Sequence, residues 1–366
     1  LDVSNNTALT FLWINNNQFT YLNMKNGVTD ALTNFYVTNN SLTCIEVNAE
    51  DIDYATENWT YENGNIDEGV TFQEIGCQTI NIPADYSTIQ AGIDAAYEGA
   101  TVLVAAGTYV ENILWPGNTN GIKLIGEDRE TTIIDGGAQQ TVIDISSSSI
   151  DTSTLINGFT ITNGSGGNGG GIFCMYSSPS LVNLTISGNV ASSGGGISCY
   201  NSSSPRLENV TISGNVASFG GGVFCQVSTP SFENVTISGN SCSEKGAGVH
   251  CYLSSPSFEN VTISGNVAGT GGAGMSCDES NPSLVDVMIS DNVANTGAGG
   301  MHCYGGSIPS LVNVTITGNS STVDEIGGIY SGGSHPILLN SILWNNTPEE
   351  VVLLWGSLTA TYSDIQ

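Results

Sequence analysis

Six cysteines keep step through the second half of this chain. Cys174, Cys199, Cys225, Cys251, Cys277 and Cys303 are separated by 25, 26, 26, 26 and 26 residues. Such a column could hold a soft metal, exchange disulfides or simply pack. Zinc sites draw their thiolates from C-x-x-C pairs, and this column has none. A free cysteine packs as a small hydrophobe, so a ladder of stacked thiols inside a core is the reading these residues support. Neighbouring parallel strands lie about 4.8 Å apart, within the Cα reach of a disulfide. In-register strands aim both Cβ atoms the same way, however, so few or no bridges are expected along the column. Cys242, in the bend SCSEKG, stands outside it, and nine cysteines in all leave at least one unpaired.

The residues flanking each cysteine carry the other chemistry. Alternation places Phe173, Ser198, Phe224, His250, Ser276 and His302 on the side opposite the thiols, and two positions on come Tyr200, Gln226, Tyr252, Asp278 and Tyr304. Phe173, Tyr200, Phe224, His250, Tyr252, His302 and Tyr304 then share one outward face. Aromatic rings on a flat sheet can stack on sugar rings, which makes this the candidate ligand-binding face. The competing reading is that exposed strand positions favour aromatics anyway. His250 and His302 fall two rungs apart, about 10 Å, too far to share a bond-breaking step directly.

Two further patterns invite functional readings that the repeat explains more simply. Asn183-Leu-Thr, Asn209-Val-Thr, Asn234-Val-Thr, Asn260-Val-Thr and Asn313-Val-Thr match the glycosylation sequon. Each asparagine sits where one strand turns into the next, a place where Asn accepts left-handed backbone angles and bonds along a stack. Glu208, Glu233 and Glu259 stack three carboxylates on successive rungs. They either bind cations or splay into water, and Arg206 lies close enough to offset them.

What positions all these columns is one sentence written six or seven times between Gly170 and Asn345, most clearly as GGGVFCQVSTPSFENVTISGN over 220–240. Prolines Pro179, Pro205, Pro230, Pro256, Pro282, Pro309 and Pro336 keep its step. So do asparagines Asn189, Asn215, Asn240, Asn266, Asn292, Asn319 and Asn345. A fixed period of about 26 residues means a solenoid whose rungs bury their apolar sides against each other. The inward positions are Ile172/Cys174 and their equivalents, then Leu181, Leu207, Phe232, Phe258, Leu284 and Leu311, then pairs such as Val235/Ile237. That gives three short strands per rung, separated by three bends.

Upstream the period is shorter. From Leu9 to Leu22 the chain reads L-x-x-L-x-I-x-x-N-x-F-x-x-L, and related units recur to Val47. Nine acidic residues and no basic one follow between Glu46 and Glu74. That segment could offer calcium its carboxylates, but Asp51-Ile-Asp53 is too short for a calcium loop and a solvated cap is the alternative. Over 81–113 the pattern reads strand, helix, strand, with Ser87 or Thr88 capping a helix that Gly99 ends. Over the whole chain, 34 Asp and Glu face 5 scattered Lys and Arg. That balance excludes nucleic acid as a partner, and an anionic membrane surface would repel the chain. No apolar run is long enough to insert into a bilayer.

The segment NIPADYSTIQAGIDAAYEGATVLVAAGTYVENI and the repeat after it resemble the right-handed parallel β-helix of pectin-lyase-like proteins. The resemblance implies an all-β fold, a right-handed parallel β-helix solenoid of about 26 residues per rung, preceded by a short leucine-rich-repeat segment. It divides the chain into a leucine-rich-repeat fragment (1–47), an acidic capping segment (48–78) and the β-helix (79–366), whose end is plugged by a helix near 86–98. The first 77 residues, through LTCIEV and TFQEIGC, resemble the leucine-rich repeats of Bacteroidetes-type secreted surface proteins. That likeness implies a Cys44–Cys77 disulfide, worth about 3–4 kcal/mol in the chain-entropy model; two buried free thiols are the alternative. It also implies export by the type IX pathway, an extracellular or cell-surface location, and further sequence on both sides of this fragment.

Fold alone does not decide activity. Uronate lyases of this fold set a basic residue beside calcium-binding acids, galacturonases carry N-T-D, D-D, G-H-G and R-I-K, and esterases set two Asp and an Arg on adjacent strands. None of these sets is present. The expectation is a non-catalytic, structural or adhesive protein without a cofactor, offering a rigid face to a polysaccharide, surface glycan or surface protein. The alternative is a carbohydrate-active enzyme, a polysaccharide lyase or hydrolase, of the same fold.

Overall fold

The computed structural model describes residues 1–323 and 326–366. From Thr79 onward the chain winds as a parallel β-solenoid. Its long sheets hold twelve, eleven and ten strands among the described residues, all paired in parallel with the strand one rung away. The ten-stranded sheet carries the thiols, with Cys174, Cys199, Cys225, Cys251, Cys277 and Cys303 in register. The twelve-stranded sheet stacks Leu181, Leu207, Phe232, Phe258, Leu284 and Leu311, its two phenylalanine rings parallel at 4.7 Å. The eleven-stranded sheet stacks Ile186, Ile212, Ile237, Ile263, Ile289 and Ile316. These inward columns form one continuous core along the shaft.

Among the described residues, seven of the rungs carry a fourth strand. A fourth sheet of seven short strands runs from Ser165–Asn168 to Ser320–Ser321 along the corner after the isoleucine strands. Cys242 belongs here, on Ser241–Cys242, rather than in an open bend. Its side chain packs with Ala247, Ala268, Ala273 and Ala294 in a small second core. Burial pushes this thiol up to about 12. The six column thiols are also unbridged and buried, and burial raises Cys174 well above the ordinary thiol range. Native protein treated with iodoacetamide at pH 8 is therefore expected to gain no label at these seven positions, and full label after unfolding, as read by mass spectrometry.

The two polar columns at the bends are of different kinds. Asn183, Asn209, Asn234, Asn260, Asp286, Asn313 and Asn340 all have φ between 52° and 56° and lie at the surface, where only short polar side chains and glycine settle easily. The second column, Asn189 to Asn319, is fully buried. It continues through Asn346, not Asn345: the Asn346 amide takes the next place in the hydrogen-bonded chain, while Asn345 turns outward at φ 61°. A buried serine column adds to these, each backbone N–H of Ser228, Ser254, Ser280 and Ser307 donating to the next serine hydroxyl at 2.9–3.1 Å.

The entrance to the shaft is plugged by the helix Ile89–Asp94, with Ile89 and Ile93 fully buried. The Thr88 hydroxyl accepts from Ala91 N, and the Glu111 carboxylate accepts from the N–H groups of Ile89 and Gln90. Residues 1–77 have a separate core around Leu22, Met24, Phe35, Ile45 and Trp59. Short parallel pairs build it: Phe11–Trp13 with Asn34–Tyr36, and Cys44–Glu46 with Thr71–Gln73. A helix absent from the sequence reading, Ile52–Asn58, lies between the latter two strands. Cys44 and Cys77 are disulfide-bonded with Cα atoms 5.5 Å apart. Beside them the buried Glu46 carboxylate accepts from Tyr21 Oη and Cys77 N and pairs with Lys25, while Tyr21 stacks on Tyr97 of the shaft at 5.4 Å.

Candidate binding groove

The outward side of the thiol sheet is not one open face. The six strands from Ile172–Met175 to Met301–Tyr304 each follow a glycine-rich bend with one glycine at positive φ (Gly169, Gly194, Gly220, Gly246, Gly271 and Gly297), and this bend folds back over the strand it introduces. Gly220 shows the fit: at φ +61°, a Cβ would stand 2.4 Å from Val223 O and 2.9 Å from Phe224 Cβ. The bends thus roof the first outward column. Ser198, Phe224, His250 and Ser276 are 0–7% exposed. Alternation indicates the side of a strand a residue occupies, but not what lies above it. Phe224 and His250 are therefore withdrawn from the ligand-binding face.

Under the roof runs an aromatic ladder. Phe173 meets Tyr200 at 5.7 Å, Tyr200 meets Phe224 at 5.5 Å, and Phe224 meets His250 edge-on at 5.2 Å. Phe219, from the bend, covers His250 at 5.7 Å. Neither nitrogen of His250 has a hydrogen-bond partner among the described residues. Burial, with the charges of Lys245 and His302, lowers its pKa from the ordinary 6.5 to about 3. Tyr200 and Tyr252 lie half-buried in the second column, where burial raises the Tyr200 phenol.

The roof opens at the next rungs. There a groove of about 730 Å³ runs along the sheet, floored by His302, Tyr304, Tyr330 and Val352. Its walls come from successive bends: Lys245, then Thr270 and Gly271, Thr296 and Gly297, Ile326 and Glu349. Tyr304 is 54% exposed, and His302 meets Tyr330 edge-on at 4.6 Å. His302 and Tyr304 were legible from the sequence; Tyr330 was missed because its rung replaces the cysteine with Ser331 and so drops out of the thiol column. At the other end of the sheet a polar recess of about 400 Å³ opens around Asn112, Leu114, Gln140 and Asp144. Two openings thus flank a sealed middle.

The carboxylate column lies elsewhere, on the outer side of the twelve-stranded sheet. Arg206 bridges Glu208 and Glu233 at 2.8 Å each, leaving Glu259 beyond its reach. At such exposure these pairs contribute under about 1 kcal/mol each. No three His, Cys, Asp or Glu side chains among the described residues come together as a metal-binding group. No helix among them is long and apolar enough to cross a membrane.

A repeating, roofed parallel solenoid of this kind defines a class, and sequence comparison agrees: the family described as right handed beta helix region matches residues 104–268 and 192–347. The chain belongs to that family. Among solved structures it is similar to the pectin methylesterase from Aspergillus niger in deglycosylated form, at 15% identity over 79% of this chain and 85% of that one, with a TM-score of 0.36. No curated protein matches it.

Proposed function

We propose that this chain is a non-catalytic secreted or cell-surface protein, structural or adhesive in role, whose β-helix presents a rigid binding site to a glycan or a surface protein. The observation that carries this reading is the groove over His302, Tyr304 and Tyr330, an aromatic floor left open beside the part of the sheet that the bends seal. Exposed rings held by a rigid sheet bind sugar faces at small entropic cost. The leucine-rich-repeat character of residues 1–47, a Bacteroidetes-type origin and type IX export belong to the same reading, which requires no cofactor and leaves calcium as a possible ligand of the acidic segment only.

A second reading has one observation in its favour. Lys245, His302, Tyr304, Tyr330 and Glu349 line a single groove, and such groups can move protons. A carbohydrate-active enzyme, lyase or hydrolase, would use them. Calorimetry against a panel of neutral, acidic and amino-sugar oligosaccharides, with parallel assays for new reducing ends and unsaturated products, separates the two. The expected outcome is binding without turnover, weakened about tenfold in Tyr330→Ala. Turnover that disappears in His302→Ala would refute the adhesive reading.

A further inference from the structure

The groove already holds a cation. Lys245 Nζ lies 5.7 Å from the centre of the Tyr304 ring, within cation–π range. It reaches there from the bend before Val249–Tyr252, two strands away from Met301–Tyr304. Among the described residues Lys245 makes no salt bridge, although the chain carries 34 acidic residues. The aromatic floor, rather than a carboxylate, is where this ammonium rests. Glu349 lines the same groove, so a second positive charge entering it would meet both a ring and a carboxylate.

The whole chain favours the same sign of ligand. At a formal charge of −29 it attracts cations and repels anions over the Debye distance. An acidic glycan would approach against that field, and a neutral one would gain stacking alone. From these observations we infer that the groove binds a glycan bearing free amines, a glucosamine-type amino sugar, with one ammonium placed over Tyr304 where Lys245 now lies. This rests on the glycan-binding reading above and names its ligand class. Lys245 is then a tethered stand-in for the ligand. Its half-buried, flexible side chain swings out when an amino sugar enters, so it competes with binding rather than helping it.

The test is calorimetric titration with a glucosamine tetramer, an N-acetylglucosamine tetramer and a galacturonate tetramer, on the unaltered chain, Tyr304→Ala and Lys245→Met. The glucosamine tetramer is expected to bind best, and to weaken as salt rises from about 50 to about 500 mM. Tyr304→Ala should lose about tenfold in affinity for it, and Lys245→Met should gain about two- to fivefold. Tyr304 is largely exposed, so its truncation leaves the fold intact. Tighter binding of the N-acetylated or galacturonate tetramer would overturn the inference and leave glycan binding standing. Loss of binding in Lys245→Met would overturn the stand-in role. No binding of any tetramer would overturn both this inference and the reading beneath it.

Discussion

Asn266→Ala is expected to destabilise the shaft by about 4 kcal/mol, while Asn260→Ala, six positions earlier in the same rung, costs about 1 kcal/mol. The difference lies in what surrounds each amide. Asn266 is fully buried. Its Nδ2 donates to Ile237 O at 3.1 Å and to Asn292 Oδ1 at 2.9 Å, and its Oδ1 accepts from Asn240 N at 2.9 Å and Asn240 Nδ2 at 3.0 Å. Truncation takes a partner from four buried polar groups, although Asn240 Nδ2 keeps its bond to Ile212 O and Asn292 Oδ1 keeps that from Asn266 N. A buried group left wholly unmet costs about 1–3 kcal/mol and each of the other lost bonds about 1 kcal/mol, less whatever a water entering the void recovers. Asn260 lies at the surface at φ +53°, with one side-chain bond, to Asn234. Its loss removes little besides the tolerance of asparagine for a left-handed backbone. Urea midpoints at unchanged slope would measure both. Equal shifts for the two variants would show that the buried ladder is not what holds adjacent rungs together.

The ladder also has a direction. From Asn189 to Asn319 every Nδ2 donates once to the asparagine Oδ1 of the next rung and once to an isoleucine carbonyl of the rung before, and the Glu350 carboxylate closes the amide chain by accepting from Asn346 N and Nδ2. A carboxylate has no donor to leave over, so it suits the last position. This terminator could not be read from the repeat, because it occurs once. The column itself was legible, since a buried amide must recur at the period of the rungs that it joins.

The same contrast runs through the molecule. Register, inward columns and the left-handed bend at Asn183 and its equivalents follow from alternation and a fixed period, and local chemistry enforces them. The serine column from Ser177 to Ser334 hides in plain runs such as NSSSP, where neighbouring serines make the phase of the buried one ambiguous. The short fourth strand is too brief to show a period. Above all, roofing depends on where a glycine bend goes after it leaves the sheet, which pairs residues such as Phe219 and His250 that no local pattern connects. Of the candidate face, His302 and Tyr304 line an opening, and Phe224 and His250 lie beneath a lid of backbone.

That lid makes His250 an acid-sensitive point of the shaft. Burial, then Lys245 and His302, lowers its folded pKa to about 3, against 6.5 for the exposed ring. Between those values the unfolded chain binds a proton that the folded chain refuses. Stability therefore rises with pH across this window: it is fully present above pH 6.5 and is lost as pH falls toward 3. Over 6.5 to about 3 the loss from this group reaches about 4 kcal/mol. His250→Phe should abolish that component, and Phe224 shows that the column accepts a phenyl ring one rung away. The variant also removes two ring nitrogens without hydrogen-bond partners among the described residues, so it should be more stable at pH 7 by about 1 kcal/mol or more. Urea unfolding of both proteins at intervals from pH 7 to pH 3 would show the curves diverging as the acid end is approached, while carboxylate titration, common to both, cancels in the difference. Parallel curves would place the imidazole in contact with water and show that the glycine bends do not seal this face.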